Sequence, residues 1–267
     1  TVTFPVGKFT TAPTVLTQIQ TMNNETTTAL LASPSRPWMT VAVRNLTAAS
    51  MQIALDRAET TTGSITSNET IAYLAIETSG TSNSGTFNDG TNDIDFKNIA
   101  TSNTVTQACT AFTLTTLTGA PDVIGLASQT TRDGGDGGWV RRCSISPTSM
   151  SVKIQEDIAT DADITHTTET VGLLAFSESF SFSNGGFPLE ANVVSFSLLG
   201  AASLAPTVVN FGATFDSTPR VFVLPTNEEP EATSIRILSV STTGFTMAQV
   251  QPDASPAPAS SMQVDYI

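Results

Sequence analysis

The sequence repeats one pattern three times, and this repetition restricts the fold more than any other feature. Each copy opens with an apolar residue, a proline four positions later and a valine two positions after the proline. The three instances are Phe9, Pro13 and Val15; Leu117, Pro121 and Val123; and Phe215, Pro219 and Val221. Self-similarity of this kind indicates repeated structural units. The chain is therefore predicted to contain three copies of one small domain.

Two further markers follow in the same order in every copy. The second marker starts at Leu46, Ile145 and Val240. In each copy this apolar residue is followed by a hydroxyl residue and then, further along, by a small residue, a bulky residue and another apolar residue. The third is an apolar run in alternation, starting at Ile71, Val171 and Val264. Short alternating runs are typical of strands, and no segment keeps a helical period. We predict an all-β fold of three tandem antiparallel β-sandwich repeats.

The markers place the three sandwiches at residues 1–77, 96–178 and 205–267. Residues 78–95 consist largely of Ser, Thr, Gly and Asn, which predicts a linker or a surface loop. Residues 179–204 form a second connector, and its apolar part from Phe187 to Leu204 is expected to pack as an additional strand. Residues Thr1 to Val6 are either a strand donated to a neighbouring chain or the first strand of their own sandwich.

The charge balance restricts the partners. The chain has 24 acidic and 11 basic residues, a net charge of −13, which repels the phosphate backbone of nucleic acids and anionic lipid surfaces. No apolar stretch approaches the roughly 20 residues that span a bilayer. Only 13% of residues are charged, and hydroxyl and amide side chains supply much of the polarity. We expect a mature, soluble, extracellular or cell-surface protein that neither binds nucleic acid nor inserts into a membrane.

The third copy carries a string that resembles a known family. It comprises Phe211, Phe215, Pro219 and Val221, then the run from Arg236 to Phe245, and a final Val-Asp-Tyr-Ile at 264–267. This string resembles the H-type lectin domain of snail agglutinins and discoidins. The middle copy, at 137–146 and 166–176, is similar to repeats in bacterial surface proteins of the MshQ type.

The resemblance implies a non-catalytic sandwich whose partners are glycans or other copies of itself. Because such lectins assemble as trimers, three copies in one chain would form either a pseudo-trimer or a row. The family holds its sugar with an Arg, an Asp and a Trp-His pair, and no copy here carries the Trp-His pair. The resemblance therefore implies the fold more than the family's galactose-type site.

Two clusters are candidate sites. Trp139 with Asp136 and Arg141 could stack on and hydrogen-bond a sugar, whereas core packing is the simpler interpretation of the tryptophan. An acidic cluster could ligate calcium through carboxylates, and solvated acidic turns are the alternative. Its members are Asp89, Asp93 and Asp95.

The remaining chemistry is sparse. Cys109 and Cys143 fall in the middle copy and are predicted either to form a disulfide or to pack as two thiols. The single histidine, His166, has no nucleophile motif or metal-ligand spacing around it and is expected at a surface or strand edge. We therefore expect no enzyme activity and no cofactor, with calcium the one ion left open.

The leading prediction is a structural or adhesive surface protein, such as a homo-oligomer or a subunit or accessory of a bacterial surface filament. The alternative is a carbohydrate-binding lectin whose site differs from that of the family. The exposure of Trp139 beside acidic and Arg side chains would separate the two hypotheses.

Overall fold

The computed structural model describes residues 1–24, 39–57, 64–115, 117, 122–135, 137–156, 163–183, 188–196, 206–226, 234–250 and 262–267. Within these residues every regular element is a β-strand, and all the strand pairs are antiparallel, which confirms the all-β prediction. None of these segments forms a helix that could cross a membrane.

The strands fall into three groups that we name the first, second and third lobes. The first lobe contains β1 (Val2–Thr3), β2 (Thr14–Ile19), β3 (Met39–Arg44), β4 (Ser50–Arg57) and β5 (Ile71–Ile76). The second contains β6 (Ser82–Asn88), β7 (Asp93–Ala100), β8 (Thr110–Thr113), β9 (Ile124–Gln129), β10 (Gly138–Ser146), β11 (Ser149–Glu156) and β12 (Val171–Phe176). The third contains β13 (Phe180–Phe182), β14 (Leu189–Phe196), β15 (Thr207–Asn210), β16 (Val223–Pro225), β17 (Ser234–Val240), β18 (Gly244–Val250) and β19 (Met262–Tyr266).

Each lobe pairs a three-stranded sheet with a second sheet that we call the closing sheet. The three-stranded sheets have the orders β1-β4-β3, β8-β11-β10 and β15-β18-β17. The closing sheets have the orders β2-β5, β6-β7-β12-β9 and β13-β14-β19-β16. Strand β1 thus belongs to its own lobe, which fits the interpretation of Thr1 to Val6 as a first strand.

The sequence markers correspond to core positions between the two sheets. The bulky residues of the second marker, Met51, Met150 and Phe245, are 0%, 0% and 2% exposed. Strand β3 buries every second residue, as alternation requires in a strand with one apolar face. Because each core position needs an apolar side chain of suitable volume, the same residue types recur at the same spacing.

The segment at 78–95, predicted as a linker or a surface loop, contains strands in the structure. Residues 82–88 form β6, and β7 begins at Asp93, so this segment is a hairpin at the edge of the second closing sheet. Its Ser, Thr and Asn side chains face solvent from an edge strand, where hydroxyl residues are as suitable as in a loop. Within the second connector, the strand expected between 187 and 204 is β14.

The lobes contact one another in a closed ring. Ser128 Oγ of the second lobe accepts from Thr17 N of the first at 3.0 Å. Asp265 Oδ2 of the third accepts from Gly125 N of the second at 2.8 Å, and Gln20 Oε1 of the first accepts from Val221 N of the third at 3.1 Å. In each case a side chain of one lobe accepts a hydrogen bond from a backbone N–H of the preceding lobe.

The middle of the ring is apolar. Leu16 and Ala72 of the first lobe share one buried cluster with Leu126 and Leu174 of the second and with Leu224 of the third. The apolar core therefore continues across the junctions between the lobes. Burial of each leucine side chain there contributes roughly 1.5–3 kcal/mol to stability.

Candidate binding groove at the junction of the first and second lobes

The predicted residues Trp139 and Arg141 lie on one face of β10, at a lobe junction. Arg141 is 0% exposed; its Nε donates to the Thr226 carbonyl at 2.9 Å and its Nη1 to Gln155 Oε1 at 2.9 Å. The ring of Trp139 lies 4.8 Å from Arg236 Cζ. Asp136 lies outside the described residues. Arg141 therefore ties two lobes together and is not presented to a ligand, contrary to the prediction.

Trp139 also lines a small cavity where the three lobes meet. This cavity has a volume of about 50 Å³ and is bordered by residues of β2, β3, β9, β10, β16 and β17. Such a volume holds a few water molecules and not a sugar ring. The sugar-stacking interpretation of Trp139 thus lacks a space for the sugar.

The predicted calcium ligands serve the β6–β7 hairpin. Asp89 Oδ1 accepts from Thr91 N and Asn92 N in the turn, both at 2.7 Å. Asp93 and Asp95 accept from side chains of the neighbouring strand, Asn88 Nδ2 at 2.8 Å and Thr86 Oγ1 at 2.6 Å. Among the described residues, no group of three or more His, Cys, Asp or Glu is placed to hold a metal ion.

The two cysteines are joined. Cys109, just before β8, and Cys143, at the irregularity in the register of β10, form a disulfide with a Cα–Cα distance of 6.1 Å. The bond links the two outer strands of the second three-stranded sheet.

Arginine fills two of the three junctions, and alanine stands at the third. Arg141, Arg236 and Ala42 each lie four residues before the start of the second marker in their lobe. Arg236 is 0% exposed and donates through Nη2 to the Met39 carbonyl of the first lobe, as Arg141 does to the third. At the corresponding place in β3, Ala42 leaves a space between the first and second lobes that no described residue fills.

The result is an open groove of about 400 Å³, which we call the junction groove. A volume of this size is within the range of small-ligand sites. Its floor is formed by small and aliphatic residues of β3 and β4, and its sides carry two guanidinium groups, a carboxylate and an amide. The lining residues are Thr1, Ala42, Arg44, Gln52, Ile53, Ala54, Leu55, Asp56 and Arg132.

A two-point ion pair closes one end of the groove. Arg132 Nη2 lies 3.1 Å from Asp56 Oδ1, and Arg132 Nε contacts Asp56 Oδ2. The side chains are 23% and 18% exposed, so both still meet solvent. Arg44, an exposed residue, donates through Nη2 to the Arg132 carbonyl at 3.3 Å. At the other side, Asn45 Nδ2 donates to Gln52 Oε1 at 2.9 Å.

A buried carboxylate fixes the loop that carries Arg132. Glu169 Oε1 accepts from Asp133 N and Gly134 N, both at 2.9 Å, and Oε2 accepts from Thr131 Oγ1 at 2.5 Å. Glu169 is 0% exposed. Because Glu169 binds the Thr131 hydroxyl before Arg132 and two backbone N–H groups after it, the loop that carries the guanidinium is held without further ordering, which favours ligand binding.

His166 lies beneath this loop between two carboxylates. Its Nδ1 contacts Glu156 Oε1 and its Nε2 lies 3.2 Å from Glu169 Oε1. It is 3% exposed, so the expected surface role is wrong. A Cβ added at Gly134 would lie 2.6 Å from His166 Cε1, and the loop can pass over the ring only because this residue is glycine.

The electrostatics favour the charged form of this group. Burial lowers the pKa of His166, but hydrogen bonds and the charges of Glu169 and Glu156 outweigh burial and raise it overall. Burial raises the pKa of Glu169, but its bonds from His166, Gly134 and Thr131 outweigh burial and lower it overall. An imidazolium flanked by carboxylates is consistent with both directions.

Comparison with protein families, curated proteins and solved structures finds no match to this chain. The junction groove is therefore interpreted from its own chemistry. It offers a forked donor in Arg44, a carboxylate acceptor in Asp56 and an amide in Gln52 around a small apolar floor. Such a set suits hydrogen bonding to a polyhydroxylated ligand.

Proposed function

We propose that the protein is a non-catalytic, extracellular adhesive protein that binds glycans in the junction groove. We further propose that its three lobes are tandem copies of an H-type-lectin-like sandwich arranged as a single-chain pseudo-trimer. The observation that carries the proposal is the alanine at position 42, which opens a groove of about 400 Å³ where the other two junctions hold a buried arginine.

The charge in the groove favours an acidic glycan. The protein carries a net charge of −13, yet Arg44 is exposed in the groove and Asp56 is already engaged by Arg132. A carboxylate or sulfate on the sugar would meet the Arg44 guanidinium in two-point geometry, and hydroxyls would meet Gln52. Affinity should therefore fall with added salt, because the charge pair is partly solvated.

The test is a glycan array followed by calorimetric titration of the best acidic glycan. Ala42→Arg reproduces the filled junctions of the other lobes and should abolish binding while the chain stays folded. Arg44→Ala should weaken binding about tenfold, the loss of one charge-assisted contact. Ser84→Arg, on the exposed strand β6 away from the groove, is the matched control and should bind as the wild type does. Unchanged binding by Ala42→Arg would exclude the groove.

The closed ring also favours discrete particles over a filament in which lobes repeat along a line. Negative-stain images with a solution mass should show compact bodies. Filaments of regular repeat would instead support the structural subunit of the leading sequence prediction.

A further inference from the structure

The buried histidine of the second lobe has a carboxylate at each of its two ring nitrogens. His166 Nδ1 contacts Glu156 Oε1, and His166 Nε2 lies 3.2 Å from Glu169 Oε1. A neutral imidazole has one N–H and one lone pair, so it can donate to only one of these oxygens, whereas the imidazolium donates to both. Loss of the proton would therefore leave a lone pair facing a buried carboxylate oxygen, which is costly.

The backbone around the ring is fixed, so this conflict cannot be relieved by moving the charged residues apart. The N–H of His166 donates to Gln107 Oε1 at 3.2 Å. The backbone of Glu169 is paired twice with that of Val105, with N···O distances of 3.1 and 2.8 Å. Glu156 is the last residue of β11. At 3.2 Å the Nε2 contact is long for a charge-assisted bond, which is typically about 2.7–2.9 Å. We therefore expect the neutral ring to keep its proton on Nδ1 and to oppose Glu169.

The loop of residues 131–135, which we call the Arg132 loop, depends on the same carboxylate. The oxygen of Glu169 that faces His166 also accepts from the two backbone N–H groups that follow Arg132. Arg132 in turn donates to carbonyls of its own loop, through Nη1 to Gly134 at 3.3 Å and through Nη2 to Gly135 at 2.8 Å. The guanidinium is thus oriented by the loop backbone, and the loop backbone is held by the oxygen beside the histidine.

The other charged groups near the ring are directed elsewhere. On the Arg132 loop, Asp133 accepts from Asn103 Nδ2 at 2.8 Å, and Arg132 pairs with the carboxylate of the groove. On the segment before the histidine, Asp163 is exposed. Strand β10 meets the ring through Gly138, where an added Cβ would lie 3.5 Å from the ring carbon Cε1. The described charged groups that face the imidazole are the carboxylates of Glu156 and Glu169.

The first lobe holds the equivalent loop without a histidine. Glu69 accepts from Asn23 N at 2.8 Å, as Glu169 does from Asp133 N at 2.9 Å. Five residues before the third marker, where the second lobe has its histidine, the first lobe has Thr66. The chain contains a single histidine. One molecule therefore contains one loop held beside a titrating ring and one held without it.

We propose that His166 is a proton-dependent positioning residue for Arg132. Its imidazolium holds Glu169 beneath the Arg132 loop, which keeps the guanidinium on Asp56 at the end of the junction groove. When the ring releases its proton to solvent, the Nε2 lone pair repels the Glu169 oxygen, the loop N–H groups lose their acceptor and the guanidinium leaves Asp56. The accompanying loss of glycan affinity rests on the proposed function, whereas the position of Arg132 does not.

NMR of the full chain without any ligand tests the proposal. The signals of the single histidine ring give its titration between about pH 5 and pH 9. Hydrogen exchange of the Asp133 and Gly134 amides, corrected for its intrinsic pH dependence, should become about tenfold faster or more as the ring titrates, the loss of one hydrogen bond to a charged group. The Nε–H signal of Arg132 should broaden over the same range. The Asn23 amide, held by Glu69, is the internal control and should show no such step.

The direction of the step follows from the charges around the ring. Burial lowers the pKa of His166, but its hydrogen bonds to Glu169 and Glu156 and their charges raise it overall from 6.5, so the step should lie above pH 6.5. Glu156→Gln removes one of these charges and should move the step to lower pH. Glu77→Gln removes an exposed carboxylate of the first lobe and is the matched control, with the step unchanged.

Three results would overturn the proposal. They are a ring that does not titrate in this range, a ring that titrates while both amides exchange as before, and a step that Glu156→Gln leaves in place. The first two are measured on the wild type, so a misfolded variant cannot mislead. Glycan titration above and below the step should show weaker binding above it. If no acidic glycan of the array binds at either pH, the proposed function fails, and amide exchange still decides the role of His166.

Discussion

Replacing Glu169 by Gln should destabilise the protein far more than the same change at Glu69, although both residues hold an equivalent loop. Glu69 accepts from Thr21 Oγ1 at 2.5 Å and from Asn23 N at 2.8 Å, as Glu169 does from Thr131 and Asp133. Glu69 is partly exposed, whereas Glu169 is 0% exposed and also meets His166. The two sites thus differ mainly in burial and charge.

The magnitude follows from the bonds that a glutamine cannot accept. In Glu169→Gln, the side-chain NH₂ group replaces one carboxylate oxygen. It then faces either Thr131 Oγ1 or the backbone N–H groups of Asp133 and Gly134, and it cannot accept their hydrogen bonds. Hydrogen bonds to charged groups contribute about 1.5–3 kcal/mol each, so we expect a loss of about 3 kcal/mol at this site. At Glu69, where water can replace the lost acceptor, we expect about 1 kcal/mol.

Thermal and urea unfolding of the two variants measure this difference. At about 2–4 °C per kcal/mol, Glu169→Gln should lower the Tm by about 6–12 °C and Glu69→Gln by about 2–4 °C. Equal losses at the two sites would refute the reasoning, because burial of Glu169 would then have no energetic consequence. Glu169→Gln should also loosen the loop of Arg132 and so weaken the glycan binding proposed for the junction groove.

The pH profile gives an independent readout of the same group. The pKa of Glu169 is lowered from 4.5, so its contribution is present above that value and is lost as the pH falls through the folded-state pKa. The pKa of His166 is raised from 6.5, so its contribution is present below that value and is lost as the pH rises through the folded-state pKa. The wild type should therefore exceed Glu169→Gln by the largest free energy of unfolding between pH 4.5 and 6.5.

Three further predictions concern the junctions and the disulfide. Gly172→Ala places a Cβ 2.7 Å from the Val15 carbonyl oxygen across the first junction and should cost about 1–3 kcal/mol in urea unfolding; no loss would mean that β12 and β2 separate freely. Cys143→Ser opens a loop of sequence separation 34 and should cost about 4 kcal/mol, matched by adding reductant to the wild type. Burial raises the pKa of Asp265 from 3.8 to about 6, so wild-type stability should decline from pH 3.8 to about 6 relative to Asp265→Asn; parallel profiles would contradict this.

The buried core residues could be predicted from the sequence because each core position carries an apolar residue at the same spacing in every copy. Val15, Met51 and Phe245 were recognised by spacing alone, and all three are buried. The hairpin β6–β7 escaped recognition because an edge strand that faces solvent needs only polar side chains, as a loop does. Partner strands determine such an element, and the partner is distant in sequence.

The strand register of the second lobe also could not be predicted from the sequence pattern. Gln20, whose N–H donates to the Thr70 carbonyl, lies five positions after Val15. Thr130, whose N–H donates to the Thr170 carbonyl, lies seven positions after Val123. The ladder of the second lobe is therefore two residues longer between the first and third markers. An insertion of two residues preserves the alternation of faces, so the hydrophobic pattern does not reveal it.

The groove was missed because it depends on a small residue and on distant partners. Arg132 and Asp56 are far apart in sequence, and neither belongs to a marker. The sequence nevertheless contained a usable signal. When the three copies are aligned on the second marker, Ala42 stands at the position of Arg141 and Arg236. A small residue where the other copies have arginine indicates a junction without a buried side chain. Sequence reasoning instead selected Arg141, where an aromatic residue and charges stood close together along the chain.

Joining three lobes in one chain explains why one junction can differ from the other two. In a symmetric homotrimer every interface uses the same residues, so a residue that fills one junction fills all three. A single chain is free of that constraint and can place arginine at two junctions and alanine at the third. Two junctions then contribute stability through buried guanidinium–carbonyl bonds, while the first keeps the charged and amide groups of the groove accessible. Covalent linkage of the lobes thus permits the asymmetry on which the proposed glycan site depends.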